Sequence, residues 1–124
     1  MSIADLAKDL TAVGNGARLP WRLVREFLVE FSHEDAKSQA ALLHQVPPAT
    51  GSTRWDAFLA ALAEHLAFHG GFPCPGWTQE PKRSLPSAWF LSALPAARAA
   101  AMETSPASFR RRLIFIDRAD LDVI

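Results

Sequence analysis

The chain has no excess charge of either sign: 13 Lys and Arg stand against 13 Asp and Glu, and the pI is about 6.9. General binding to nucleic acid or to an anionic membrane is therefore not expected, because such surfaces are held by a surplus of basic side chains that releases counterions. There is one cysteine, Cys74, so no intramolecular disulfide can form and the core must be held by burial alone, as suits a reducing cytosol. Uninterrupted apolar runs are also missing. Met1–Leu10 is broken by Asp5, Lys8 and Asp9, and no segment reaches signal-peptide or membrane-spanning length, so a cytoplasmic location is expected. Against these absences, 49% of the 124 residues are hydrophobic, too many for a solvated coil and the right number for one small domain spanning residues 1–124. A neutral, half-apolar chain also lacks repulsion between copies, which favours association with a partner or with itself.

Periodicity makes the domain mostly helical. Ser2 and Asp5 form a capping-box start for a helix with Ile3, Leu6, Ala7 and Leu10 on one face, and Gly14 and Gly16 are expected to stop it. Trp21, Leu23, Val24, Phe27, Leu28 and Phe31 give the next segment six large apolar groups in eleven residues, which makes it the expected core helix. Ser32 reads as the cap of a third helix that ends at Pro47-Pro48. Ser52 or Thr53 starts a fourth, with Trp55, Phe58, Leu59, Leu62 and Leu66 in a narrow stripe and a Gly70-Gly71 terminus.

Five prolines and glycines between Phe72 and Pro86 exclude regular structure there, and the indole of Trp77 predicts an ordered, Pro-rich loop. Ser87–Leu91 reads as a short helical turn, Pro95–Met102 as a helix, and Ser105-Pro106 as the capped start of another. Leu113–Ile116 is the one good strand candidate, followed by a turn capped by Asp117. The expected fold is thus a small single-domain helical one, with at most one or two short strands near the C-terminus.

No catalytic constellation is present, and the chain is not expected to be an enzyme. His65 and His69 lie one helical turn apart, but a zinc protease would need Glu directly after the first His, whereas here Glu64 precedes it. A structural metal site from His65, His69 and Cys74 is the alternative, and a pair of histidines near a helix C-terminus also needs no ligand. The Gly14-Asn15-Gly16 triplet lacks the third glycine of a phosphate loop, and no Gly-x-Ser-x-Gly elbow occurs. No metal or organic cofactor is expected. The one concentrated basic feature is Arg110-Arg111-Arg112, suited to bidentate contact with carboxylates or phosphates. A helix-turn-helix reading of the first helices fails on charge: the segment His33–Gln45 offers Lys37 as its only fixed cation and places acids where a phosphate would dock. Independent nucleic-acid binding is not expected.

The order of landmarks carries more. Arg25-Glu26-Phe27-Leu28 with Phe31, Pro47-Pro48-Ala49-Thr50-Gly51, the run from Trp55 to Ala67, Pro75-Gly76-Trp77, Trp89-Phe90, and Ser105 to Arg112 followed by Ile114-Phe115-Ile116 resemble one bacterial family. It is the C-terminal region of helix-turn-helix regulators of the antitoxin type, often encoded beside nucleotidyltransferase-like toxins, and the similarity spans about residues 22–122. The family's N-terminal DNA-binding domain has no counterpart in Met1–Trp21, so operator binding is not implied.

The resemblance implies an antitoxin-like protein that neutralises a cognate toxin, encoded nearby, through protein–protein contact. Trp77, Trp89, Phe90, Arg110, Arg111 and Arg112 are the expected contacts, since Trp and Arg dominate interface hot spots. The alternatives are a helical module that acts with a separate DNA-binding subunit, and a small metal-binding protein or enzyme.

Overall fold

A computed structural model describes residues 1–13 and 18–122. The fold is mostly helical, with six α-helices among the described residues: α1 (Ile3–Val13), α2 (Arg18–Ser32), α3 (Ala36–His44), α4 (Thr53–Gly70), α5 (Pro95–Thr104) and α6 (Ala107–Arg110). Two short strands, β1 (Trp89–Phe90) and β2 (Ile114–Phe115), form a parallel pair, and 3-10 turns lie at Gly76–Gln79, Pro81–Arg83 and Arg118–Leu121. The stop expected at Gly14 and Gly16, and the Gly14-Asn15-Gly16 triplet, lie outside the described residues. No helix among those described is long and apolar enough to cross a membrane.

The helix ends follow local chemistry. Ser2 and Asp5 exchange the two capping-box bonds at 3.0 and 3.1 Å. Pro20 falls in the first turn of α2, where its missing N–H owes nothing to an intrahelical acceptor. Ser32 is not the cap of α3. Buried Phe31 carries α2 onward, so Ser32 is still helical and donates its hydroxyl to the Val29 carbonyl at 2.7 Å. Asp35 caps α3 instead, accepting from the Ser38 N–H at 2.8 Å. Ser52 caps α4 as expected, and Gly71, in the left-handed region at φ 73°, closes it with the Phe72 N–H bonded to the Ala67 carbonyl.

The hub of the core is α4 rather than α2. Its Trp55, Phe58, Leu59 and Leu62 are buried, and so are Ala57, Ala60, Ala61, Ala63 and Ala67. These small side chains let α1, α3, α6 and both 3-10 turns of the Pro-rich loop approach the helix from several directions. A hydrophobic stripe read from large residues alone misses this, because alanine weighs little in such a pattern. From α2, Val24, Phe27, Leu28 and Phe31 complete one wall of the core, and Trp21 lies half-buried at its border.

The C-terminal third departs most from expectation. Ser87–Leu91 contains β1, not a helical turn: Trp89 and Leu91 donate backbone N–H groups to Leu113 and Phe115, in the register Trp89 to Ile114 and Phe90 to Phe115. The expected strand thus finds a partner that its own sequence did not announce. Ser105 does not cap α6. Its hydroxyl lies 2.5 Å from the Ala101 carbonyl and 3.0 Å from that of Ile116, and it accepts the Ile116 N–H at 2.9 Å. It closes the outer edge of β2, a better use of a buried hydroxyl than a cap on a four-residue helix. Asp117 caps the last turn, as expected.

Candidate functional site

Two arginines of the basic triplet, exposed Arg111 and buried Arg112, converge on one carboxylate. Glu64, on the outer side of α4, receives Arg111 as a two-pronged fork, Nε to Oε1 at 2.8 Å and Nη2 to Oε2 at 2.6 Å. Arg112 adds Nη1 to the same Oε1 at 3.1 Å and Nη2 to Oε2 at 3.4 Å, and the same two nitrogens donate to the carbonyls of Ser108 and Thr78, each at 2.8 Å. Gln79 completes the set, donating to Glu64 at 2.6 Å and accepting from Arg111 at 2.7 Å. Burial alone would raise the Glu64 carboxyl, but hydrogen bonds from Arg111, Arg112 and Gln79 outweigh it and bring its pKa down to about 2. This latch joins α4, the Pro-rich loop and the α6–β2 junction.

A second arginine fastens the same loop from its other end. Arg83, 2% exposed, bonds the Pro47 carbonyl at 3.0 Å and the Asp56 carbonyl at 3.2 Å, pairs with Glu80, and stacks 4.8 Å over the indole of Trp77. Trp77 in turn donates its indole N–H to the last turn of α3 at Leu43, 3.0 Å away. The ordered loop expected from Trp77 is therefore real, and Arg83 is a fastener that sequence reading did not single out.

The six expected contact residues fall in separate places. Trp77 and Arg112 are buried and committed to internal bonds. Arg111 is held at Glu64, and Arg110 is exposed with Nη2 on the Met102 carbonyl at 2.7 Å. Trp89 and Phe90 stand together, half-buried on β1 and apart from the other four. There the structure adds two arginines from elsewhere in the chain. Arg54, from the first turn of α4, lies 5.5 Å over the Trp89 ring, and Arg98, from α5, lies 4.4 Å over Phe90, which stacks on Phe115. Among the described residues neither guanidinium has a carboxylate or hydrogen-bond partner. They flank a cleft of about 270 Å³ over Trp89 and Phe90. Because β1 donates to β2 through Trp89 and Leu91, the N–H and C=O of Phe90 point to the opposite edge.

His65 and His69 do come together, ring centroids 4.3 Å apart, but Cys74 does not join them: its Sγ sits 3.1 Å from the Thr78 hydroxyl. Among the described residues no group of three or more His, Cys, Asp or Glu side chains is placed to hold a metal ion. Burial, then the neighbouring His69, lowers the His65 pKa to about 4, so the ring packed against Phe109 is neutral at neutral pH.

No protein-family model, curated protein or solved structure matches this chain.

Proposed function

We propose that this chain is an antitoxin-like protein that acts in the bacterial cytosol, without catalysis of its own, by binding and neutralising a cognate toxin. One observation supports the reading above the others: Trp89 and Phe90 present a half-buried aromatic pair on which Arg54 and Arg98 are stacked, with no anionic partner among the described residues. Aromatic side chains and arginine are the groups that carry most interface energy. A guanidinium stacked on a ring is pre-positioned, so less rotamer freedom is lost when a partner arrives. The matching surface on the toxin is therefore acidic, with carboxylates reaching Arg54 and Arg98 and an apolar group over the rings. The resemblance of the sequence landmarks, in their order, to those of antitoxin-type regulators favours the same reading.

Co-expression with each adjacent open reading frame tests the proposal. One neighbour is expected to arrest growth alone, to be tolerated in the presence of this chain, and to co-purify with it. If neither neighbour is toxic and neither co-purifies, the reading fails.

A further inference from the structure

Three of the four tryptophans, Trp21 from α2, Trp55 from α4 and Trp89 from β1, line a cleft of about 430 Å³ beneath α5, a volume in the range of small-molecule sites. Trp55 and Trp89 stand almost at right angles, 82° with centroids 5.2 Å apart, and so make a corner of indole walls. Asp117 and Asp120 also line the cleft. Asp117 already holds the Ala119 N–H at 3.0 Å and the Thr104 hydroxyl at 3.3 Å, whereas the Asp120 carboxylate has no hydrogen bond or ion pair among the described residues.

We infer that this cleft is a binding site for a small organic cation with an apolar or aromatic body. Indole faces carry negative quadrupole charge and attract cations, more strongly where water is excluded, and the two carboxylates supply the full opposite charge. The competing ligand classes fit less well. A neutral apolar molecule makes no use of the two acids, and an anion meets them head on. A hydrated metal ion gains nothing from indole walls that offer it no ligand atom. Asp120 is solvent-exposed, yet partial desolvation and then the charge of Asp117 push its pKa up, with Arg25 of α2 opposing this only in part, so the carboxylate stands to gain from an added positive charge. The cleft shares the wall of Trp89 with the proposed partner face but does not depend on it.

Titration with benzyltrimethylammonium, followed by tryptophan fluorescence, tests the site. The cation is expected to give a saturable change with Kd on the order of 1 mM or tighter, as befits a fragment of this size. Benzyl alcohol is expected to bind about 5-fold or more weakly, since it lacks the charge, and phenylacetate should not saturate.

Asp120→Asn should lower the affinity for the cation by a similar factor while leaving that for benzyl alcohol unchanged. Ala97→Leu, on the half-buried side of α5 that lines the cleft, should abolish binding of both by filling the space. A circular-dichroism melt of each variant checks that it is folded. Absence of saturable binding, equal affinity for benzyl alcohol and the cation, or an undiminished cation preference in Asp120→Asn overturns the inference.

Discussion

Arg112 and Arg54 carry the same guanidinium, yet the molecule uses them in opposite ways. The side chain of Arg112 is 3% exposed and ends on one carboxylate and two backbone carbonyls, whereas Arg54 lies exposed over an indole and pairs with no carboxylate among the described residues. The difference separates fastening from recognition. A buried guanidinium is tolerated only when its charge and its protons are all met, and once they are met it has nothing left to offer a partner. A stacked, uncompensated guanidinium on the surface contributes little to folding and keeps its full charge available. By this criterion Arg83 and Arg112, joined at Glu64 by the more exposed Arg111, hold the loop Phe72–Pro86 and the α6–β2 junction to α4, and Arg54 and Arg98 remain for the proposed contact.

The comparison breaks most visibly at Arg112. Its replacement by Ala takes one of two arginines from Glu64, which keeps Arg111 and Gln79, and leaves the Thr78 and Ser108 carbonyls without that donor, so a loss of about 2–4 kcal/mol is expected in a urea melt. Arg112→Lys should recover only part of it, since an ammonium cannot reach three acceptors in the geometry of a planar fork. If Arg112→Ala costs no more than Arg54→Ala, the latch is not structural and the distinction collapses.

Acid attacks the same side of the molecule in two steps. His65 has a folded pKa near 4 against an ordinary 6.5, so the unfolded chain takes up its proton first, and stability falls as pH drops from 6.5 to 4. Glu64, at about 2 against an ordinary 4.5, works through the opposite charge. Its ion pairs are fully stabilising above 4.5 and are lost as pH falls toward 2. Each step is expected to cost about 2 kcal/mol, less than the full shift implies because both groups keep some solvent contact. Thermal melts from pH 7.5 to 2.5 check this: His65→Asn should flatten the upper limb and Glu64→Gln the lower, and a profile unchanged by either substitution refutes the assignment.

The two regions differed just as much in how far the sequence disclosed them. Periodicity and capping residues located α1, α4, α5 and the final turn, because these depend on neighbours within one or two turns. The indole of Trp77 correctly signalled order in a Pro-rich stretch. What stayed hidden depends on contacts distant in the chain. A run of three arginines looks the same whether it faces solvent or Glu64, 47 residues away, and Arg54 and Arg98 form no cluster until α4, α5 and β1 are brought together. β1 was unreadable because two residues between prolines hold no period, and its pairing is set by β2. The alanines of α4 add little to a hydrophobic stripe because their role is to let other elements approach.

A smaller effect sits at the seam between latch and strand. Leu113, between Arg112 and β2, has φ 63°, a left-handed conformation that costs a non-glycine residue about 1 kcal/mol or more. Its carbonyl accepts the Trp89 N–H at 2.8 Å, so the strained turn is what aims β2 at β1. Leu113 is 37% exposed, so Leu113→Gly relieves the strain but gives up partial burial of the leucine, and the net change is expected to stay within about 0.5 kcal/mol. Leu113→Val should lose about 1 kcal/mol, since a β-branched residue fits the left-handed region worse. Equal stability of the two variants would mean that the turn relaxes in solution.

The least change in stability is expected from the residues assigned to recognition. Replacing Arg54 and Arg98 together by Ala removes two cation–π contacts at the surface, worth about 0.5 kcal/mol each and offset by the side-chain entropy released. The melting temperature should barely move, while capture of an acidic partner should weaken by about tenfold or more, with a salt dependence that the parent protein shows and the variant lacks. Arg112→Ala presents the reverse pattern, unstable but, while folded, still carrying the aromatic face. A double variant that melts early would place Arg54 and Arg98 with the fasteners, and one that keeps full affinity would move the contact surface away from β1.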